Sequence, residues 1–142
     1  MGTKIGTLPH LRVLKLESGS FVGEVWETVE GQFGSLKYLE ISDNTDLKYW
    51  RTESCAHFPC LERIFISGLT NLEAIPFDIG DTLESIEIIK CSDSAIFSAN
   101  EILMEQEGLG NEGLQVKVLL FKHSPDVESL AAPNFHVKIC II

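Results

Sequence analysis

One short pattern occurs four times in this chain and constrains its fold more than any other feature. It consists of a leucine, two variable residues, a leucine or isoleucine, one variable residue, and a second leucine or isoleucine. The copies begin at lead leucines spaced 25, 25 and 22 residues apart, which are Leu11, Leu36, Leu61 and Leu83. A period of this length indicates a row of similar structural units, each of which buries its apolar face against its neighbours.

The spacing L-x-x-L-x-L at this period is typical of a leucine-rich repeat. We therefore predict an α/β fold: a leucine-rich-repeat solenoid with a short parallel β-sheet on its concave side, loops or short helices on its convex side, and a C-terminal capping unit. The alternation of apolar and polar residues places the leucines and isoleucines of each strand inward. The predicted repeat strands span residues 12–17, 37–42, 62–67 and 85–89.

The predicted organisation has three parts, which are four repeats over residues 1–92, a capping helix and strand over 93–121, and a loop with an apolar C-terminal strand over 122–142. In the capping part, Ser98 and Glu101 have the spacing of a capping box that begins a helix. Residues 114–121 form the predicted capping strand, and residues 135–142 form the last strand.

The segments between the repeat strands are predicted to return along the convex side. Residues 20–32 have apolar residues at helical spacing, which favours a helical or 3₁₀ turn. Trp26 in that segment and Trp50 in the next are predicted to fill the core, because tryptophan is highly buried on average.

The position that follows each repeat strand commonly holds asparagine or cysteine in this type of repeat. Asn44 and Cys91 occupy it in the second and fourth copies, and Gly19 and Leu69 occupy it in the other two. An inward asparagine bonds backbone groups at the sharp bend, where an unsatisfied buried group costs roughly 1–3 kcal/mol. We therefore predict structural roles for Asn44 and Cys91.

Composition excludes several classes of partner. The chain has 11 Lys+Arg against 21 Asp+Glu, a formal net charge of −10, and such a surface repels nucleic acid and anionic lipid. No apolar run approaches the roughly 20 residues that span a bilayer, so no membrane association is expected. The four cysteines follow no regular spacing and predict no disulfide, which favours a reducing compartment, cytoplasmic or nuclear.

The sequence contains no motif for catalysis. A phosphate-binding loop, a G-x-S-x-G turn and a paired-histidine metal motif are all absent from it. Cys55, His57 and Cys60 lie close together but lack the second pair of ligands that zinc sites usually have. We predict a non-enzymatic protein with no cofactor and no metal.

Stacked parallel strands align their outward residues in columns, and this surface is the predicted binding site. Tyr38, Arg63 and Phe65 on adjacent strands have the composition of an interface hot spot. In an alternative that stays open, Phe65 packs on Tyr38 and serves strand pairing. The predicted protein-binding residues of the concave surface are Val13, Lys15, Tyr38, Glu40, Arg63, Phe65, Ser85 and Glu87.

The amino-acid sequences of the repeats also resemble those of a known family. The segments that carry the resemblance are residues 8–16, 33–41, 47–51, 57–62, 72–76 and 79–87. They are similar to the C-terminal repeats of plant nucleotide-binding leucine-rich-repeat immune receptors, in particular the coiled-coil class of nightshade-family plants with its late blight resistance-like proteins. The resemblance implies an intracellular receptor whose repeats sense pathogen effectors or restrain the nucleotide-binding switch. The 142 residues contain neither a nucleotide-binding domain nor a coiled coil, so ATP binding does not carry over. We expect either a fragment of such a receptor or a truncated, repeat-only relative.

Two functions follow as expectations. In the first, the chain is a protein-recognition module for defence, and its partner is a pathogen effector or another domain of an immune receptor. In the second, it is a repeat-only scaffold or regulatory protein that associates through the open edge of its first repeat, as a homodimer or with a partner immune receptor.

Overall fold

The computed structural model describes residues 10–17, 23–28, 33–52 and 58–140. The chain has an α/β fold with short parallel strands and few helices, as predicted. In chain order the elements are β1 (Val13–Leu16), β2 (Val25–Glu27), β3 (Tyr38–Ser42), β4 (Tyr49–Arg51), β5 (Arg63–Ser67), a 3₁₀ helix (Phe77–Thr82), β6 (Ser85–Ile89), α1 (Asp93–Gly108), β7 (Gln115–Leu120), α2 (Pro125–Glu128) and β8 (Phe135–Ile139).

Six strands form one sheet in the order β1-β3-β5-β6-β7-β8, and every neighbouring pair is parallel. Each of the four repeated patterns supplies one strand of this sheet. The fourth strand has the predicted bounds, and the first three begin one residue later than predicted. The sheet order follows chain order because each repeat returns to lie beside the one before it.

The inward residues of the sheet form two rows that run across its strands. One row joins Leu39, Ile64, Ile86 and Val116, and the other joins Ile41, Ile66, Ile88 and Val118. All eight side chains are at most 3% exposed. Burial of such aliphatic side chains contributes about 1.5–3 kcal/mol each, so these rows hold neighbouring repeats together.

Four aromatic rings fill the space behind the first strands. Trp26 stacks on Trp50 with ring centroids 5.5 Å apart, and Phe33 stacks on Phe58 at the same distance. Edge-to-face contacts join Trp26 to both phenylalanines. Both tryptophans are at most 4% exposed, which confirms the predicted core positions.

The segment that contains Trp26 differs from its prediction. A helical or 3₁₀ turn was expected within residues 20–32, but the structure has β2 there, paired in parallel with β4. Both segments alternate around one buried tryptophan, and β-branched and aromatic residues favour strands. Phe21 and Val29, which suggested the helical spacing, lie outside the described residues.

The predicted start of the capping helix was wrong. Helix α1 begins at Asp93, and the N-cap is Ser92, whose Oγ accepts a hydrogen bond from the Ala95 backbone N–H at 3.2 Å. Ser98 instead lies inside the helix and is 8% exposed. Its hydroxyl donates to the Ile75 carbonyl oxygen and accepts from the Ile75 N–H, so it ties the helix to the preceding repeat.

The C-terminal part contains one helix that the sequence did not predict. Helix α2 lies in the segment expected to be a loop, and it buries Val127 completely. The capping strand was predicted at residues 114–121 and is β7; the last strand, β8, ends at Ile139. The final two residues of the predicted last strand lie outside the described part of the chain.

Candidate protein-binding face

The strand register places the predicted binding residues side by side on the outward surface of the sheet. Two columns contain the predicted set, and they extend across the capping strands to Gln115, Lys117 and His136. Every one of these side chains is exposed or half-buried. The first column is Val13, Tyr38, Arg63 and Ser85, and the second is Lys15, Glu40, Phe65 and Glu87. Because neighbouring strands are about 4.8 Å apart, each column is a continuous ridge.

A hydrogen bond organises the centre of this surface. The Tyr38 hydroxyl donates to Oε1 of Glu40 over 2.7 Å. Burial raises the pKa of Tyr38 to about 12, and the hydrogen bond and charge of Glu40 act in the same direction. Glu87 adds to the increase in this pKa, and Arg63 opposes it. Tyr38 therefore presents a neutral ring whose orientation is fixed by its neighbour.

Arg63 offers an uncompensated positive charge beside that ring. It is exposed, and the ion pairs within the described part of the chain do not include it. Those pairs are Lys37 with Glu62 at 3.6 Å and, when its imidazole is protonated, His123 with Glu128 at 3.5 Å. A guanidinium in this state retains its five N–H donors for a ligand.

Phe65 is half-buried and lies in register between two carboxylates, Glu40 on β3 and Glu87 on β6. Across the described residues, no ring contact joins Phe65 to Tyr38. The ring packing between these two residues that sequence reasoning left open is therefore not formed. The arrangement can receive a partner side chain against the aromatic ring and pair its polar groups with the flanking acids.

Asn44 holds the bend behind this surface. It is 5% exposed, and its amide nitrogen donates to three carbonyl oxygens. These oxygens belong to Leu16 at 3.2 Å, Glu17 at 3.2 Å and Ser42 at 2.8 Å. The side chain thereby joins the carboxyl ends of β1 and β3, which fixes the relative position of the outward columns.

Cys91 occupies the equivalent position two repeats later. Its thiol donates to the Ile89 carbonyl oxygen over 3.4 Å. Burial raises the pKa of Cys91 to about 11, so the side chain stays a neutral thiol near pH 7. A protonated thiol is a poor nucleophile and a small apolar group.

A feature that sequence reasoning missed is a row of left-handed residues directly after the strands. Asp43, Gly68 and Lys90 have φ of 54°, 71° and 54°. The N–H of each donates to a carbonyl of the next strand, at 2.8, 3.0 and 3.5 Å. Gly68 was the one available signal, because glycine is the usual residue at positive φ. The other two residues are strained there, since a side chain in this conformation is uncommon.

Only one of the three residues considered for metal binding lies in the described part of the chain. No group of three or more histidine, cysteine, aspartate or glutamate side chains is close enough there to hold an ion. Cys55 and His57 lie outside the described residues, and Cys60 is exposed. None of the described helices is long and apolar enough to cross a membrane.

Comparisons with known proteins agree with the resemblance in the repeats. No family model matches the chain. It is 33% identical over 119 residues, 81% of its length, to a putative late blight resistance protein homolog of Solanum demissum. It is 32% identical over 69 residues, 49% of its length, to disease resistance RPP8-like protein 3 of Arabidopsis thaliana.

The chain spans 15% of the length of the first relative and 8% of the second. The similarity therefore concerns one region of much longer proteins. It confirms the predicted likeness to the leucine-rich-repeat region of plant disease-resistance receptors. It also supports a role for this chain in plant disease resistance.

Proposed function

We propose that this chain is a non-enzymatic recognition module of plant defence, a leucine-rich-repeat solenoid that binds a protein through the outward face of its six-stranded sheet. The observation that carries the proposal is the register that pairs Tyr38 on β3 with Arg63 on β5, two residues before Phe65. An aromatic, a guanidinium and a second aromatic within two adjacent strands are the residue types that contribute most to protein interfaces.

The chemistry of the face also favours a protein partner. The second column carries both signs of charge, with Glu40 and Glu87 lying between Lys15 and Lys117. A mixed pattern of this kind matches a protein surface with complementary charges better than a uniform polyanion. With a net charge of −10, the chain as a whole also opposes nucleic acid.

The partner in this proposal is a pathogen effector or another domain of an immune receptor. In the first case the face senses the pathogen directly. In the second it restrains the receptor until a signal arrives. The relatives are resistance proteins by name, which is compatible with both roles.

The test is affinity capture from plant extract, with and without added pathogen protein, followed by mass spectrometry. Two triple-alanine variants are compared with the unchanged chain. The face variant replaces Tyr38, Arg63 and Phe65, and the helix variant replaces three exposed residues of α1, which are Glu101, Met104 and Glu105. The face variant should lose a partner that the helix variant retains. Equal capture by both variants, with unchanged circular dichroism, would refute the proposal.

A second candidate function rests on the β1 edge of the sheet. Leu14 is half-buried, whereas the residues at the same register on the next strands, Leu39 and Ile64, are at most 1% exposed. The described part of the core is therefore least covered at β1. In this alternative, the edge associates with a second copy or with a partner receptor. Light scattering should then detect a dimer that Leu14→Asp dissociates, and a monomer at all concentrations contradicts homodimer formation.

A further inference from the structure

A cleft of about 560 Å³ opens at the carboxyl ends of β6 and β7, beyond the predicted binding columns. Its volume lies within the range of about 300–1,000 Å³ that is usual for ligand sites. One wall is the turn from β6 into α1, and the other is the segment that follows β7. Its lining residues include Lys90, Cys91, Leu119, Phe121 and Lys122.

The floor and walls of the cleft are largely apolar. Leu119 points outward from β7 and is half-buried, and Phe121 is 41% exposed. Cys91 adds a neutral thiol, because burial raises the pKa of Cys91 to about 11.

The rim of the cleft is basic, although the chain is strongly acidic. Lys90 and Lys122 line it, and Asp93 is the one carboxylate among its lining residues. Lys138 lies next to it, paired in register with Leu119. All three lysines are exposed, and none belongs to an ion pair within the described residues. Three of the 11 basic residues of the chain are thus close together and uncompensated.

The backbone fixes one of these charges in place. Lys90 has φ of 54°, at the position where the preceding repeat has Gly68. Lysine seldom adopts this left-handed conformation, because its side chain crowds the backbone there. The strand register and the hydrogen bond from the Lys90 N–H to the Leu119 carbonyl oxygen fix the backbone of Lys90. Its side chain therefore lies at the rim of the cleft.

We propose that this cleft binds an acidic peptide segment of a protein partner, with an aromatic or aliphatic side chain of the segment between Leu119 and Phe121 and its carboxylates on Lys90 and Lys122. Charge complementarity selects an acidic segment. A peptide is the expected ligand because the cleft is continuous with the proposed binding face: Leu119 and Ile89 belong to the next outward column of the sheet. A chain that lies across that face reaches the cleft at its end. The choice of a peptide rests on the proposed binding face, whereas the cleft is a second site whose binding is tested separately.

The experiment measures fluorescence anisotropy of a labelled peptide, Glu-Asp-Leu-Phe-Glu-Asp, with the whole chain. The peptide should bind, and combined Lys90→Glu and Lys122→Glu should weaken binding by about tenfold or more, since two attractive pairs become repulsive. A Lys-Lys-Leu-Phe-Lys-Lys peptide should show the opposite preference and bind the double variant more tightly. Arg12→Glu with Lys48→Glu is the matched control, because it changes the net charge equally at residues outside both the cleft and the binding columns, and it should leave binding unchanged.

Further variants distinguish loss of peptide binding at the cleft from loss of stability and from loss of binding at the proposed face. Lys90→Gly suits the left-handed backbone and removes one charge, so it should weaken binding without loss of stability. The face variant should bind the peptide as the unchanged chain does, which distinguishes this site from the proposed function. Three results would each overturn the proposal. The peptide does not bind the unchanged chain, the double variant binds it as tightly as the unchanged chain does, or a peptide with glycines in place of Leu-Phe binds the unchanged chain equally well.

Discussion

Replacement of Asn44 by alanine should destabilise the repeats far more than the same change at another asparagine. The Asn44 amide has two N–H groups, which serve three carbonyl oxygens within 3.2 Å. Each lost bond costs about 1 kcal/mol, and a carbonyl left buried and unpaired adds about 1–3 kcal/mol. Because water can reach part of the bend after truncation, we expect a total loss of about 2–4 kcal/mol in the free energy of unfolding.

Asn71 provides the matched control one repeat later. Its amide donates a single bond of 2.7 Å to the Thr45 carbonyl oxygen, and it is exposed. Water replaces that bond in Asn71→Ala, so the expected loss is below about 0.5 kcal/mol. Urea denaturation followed by circular dichroism measures both variants. In thermal unfolding, Asn44→Ala should lower Tm by roughly 5–15 °C, given about 2–4 °C per kcal/mol at this size. Equal losses at the two asparagines would refute the structural role of Asn44.

Other predictions test the turns and the centre of the face. Gly68→Ala should lower the free energy of unfolding by about 1–3 kcal/mol, because φ is 71° and the new Cβ would lie 2.5 Å from a neighbouring carboxylate oxygen. Gly108→Ala is the control, because its Cβ meets nothing within 4 Å. Thermal denaturation compares the two variants. Tyrosinate absorbance should show Tyr38 ionising near 12, and Glu40→Gln should lower that pKa. Since the folded pKa is raised above the ordinary 10.0, the stabilising contribution of Tyr38 is complete below pH 10 and is lost as the pH rises to about 12. An unchanged pKa in Glu40→Gln would contradict the assigned cause.

The part of the fold that sequence could predict is the part set by local alternation. In each repeat strand, inward aliphatic residues occur at every second position, so strand bounds and the outward columns follow from the pattern alone. Ser85–Ile89 was predicted with the same bounds that the structure has, and the alignment of Tyr38 with Arg63 follows from the repeat period.

The features that sequence could not predict depend on distant contacts. Ser98 and Glu101 match a capping box, but Ser98 bonds the backbone of Ile75, 23 residues earlier. Ser92 caps the helix instead because its own backbone is held by the Leu69 carbonyl oxygen. Tertiary bonds thus favoured Ser92, although the capping-box rule favours Ser98.

The basic cleft has the same origin. Lys90 and Lys122 are 32 positions apart in the chain and carry no motif. The register of β6 with β7 brings the residues after each strand together, and the left-handed conformation at Lys90 directs it to the rim. The one signal for this φ in the sequence is Gly68, at the equivalent position of the previous repeat.

The most direct test of the central claim is the dissociation constant of a captured partner, measured by calorimetry for the unchanged chain and the two triple variants. The face variant, with Tyr38, Arg63 and Phe65 replaced by alanine, should bind at least about 30-fold more weakly, which corresponds to one hot-spot residue at about 2 kcal/mol. The helix variant should bind as tightly as the unchanged chain. A face variant with full affinity and an unaltered unfolding transition would contradict binding through this surface.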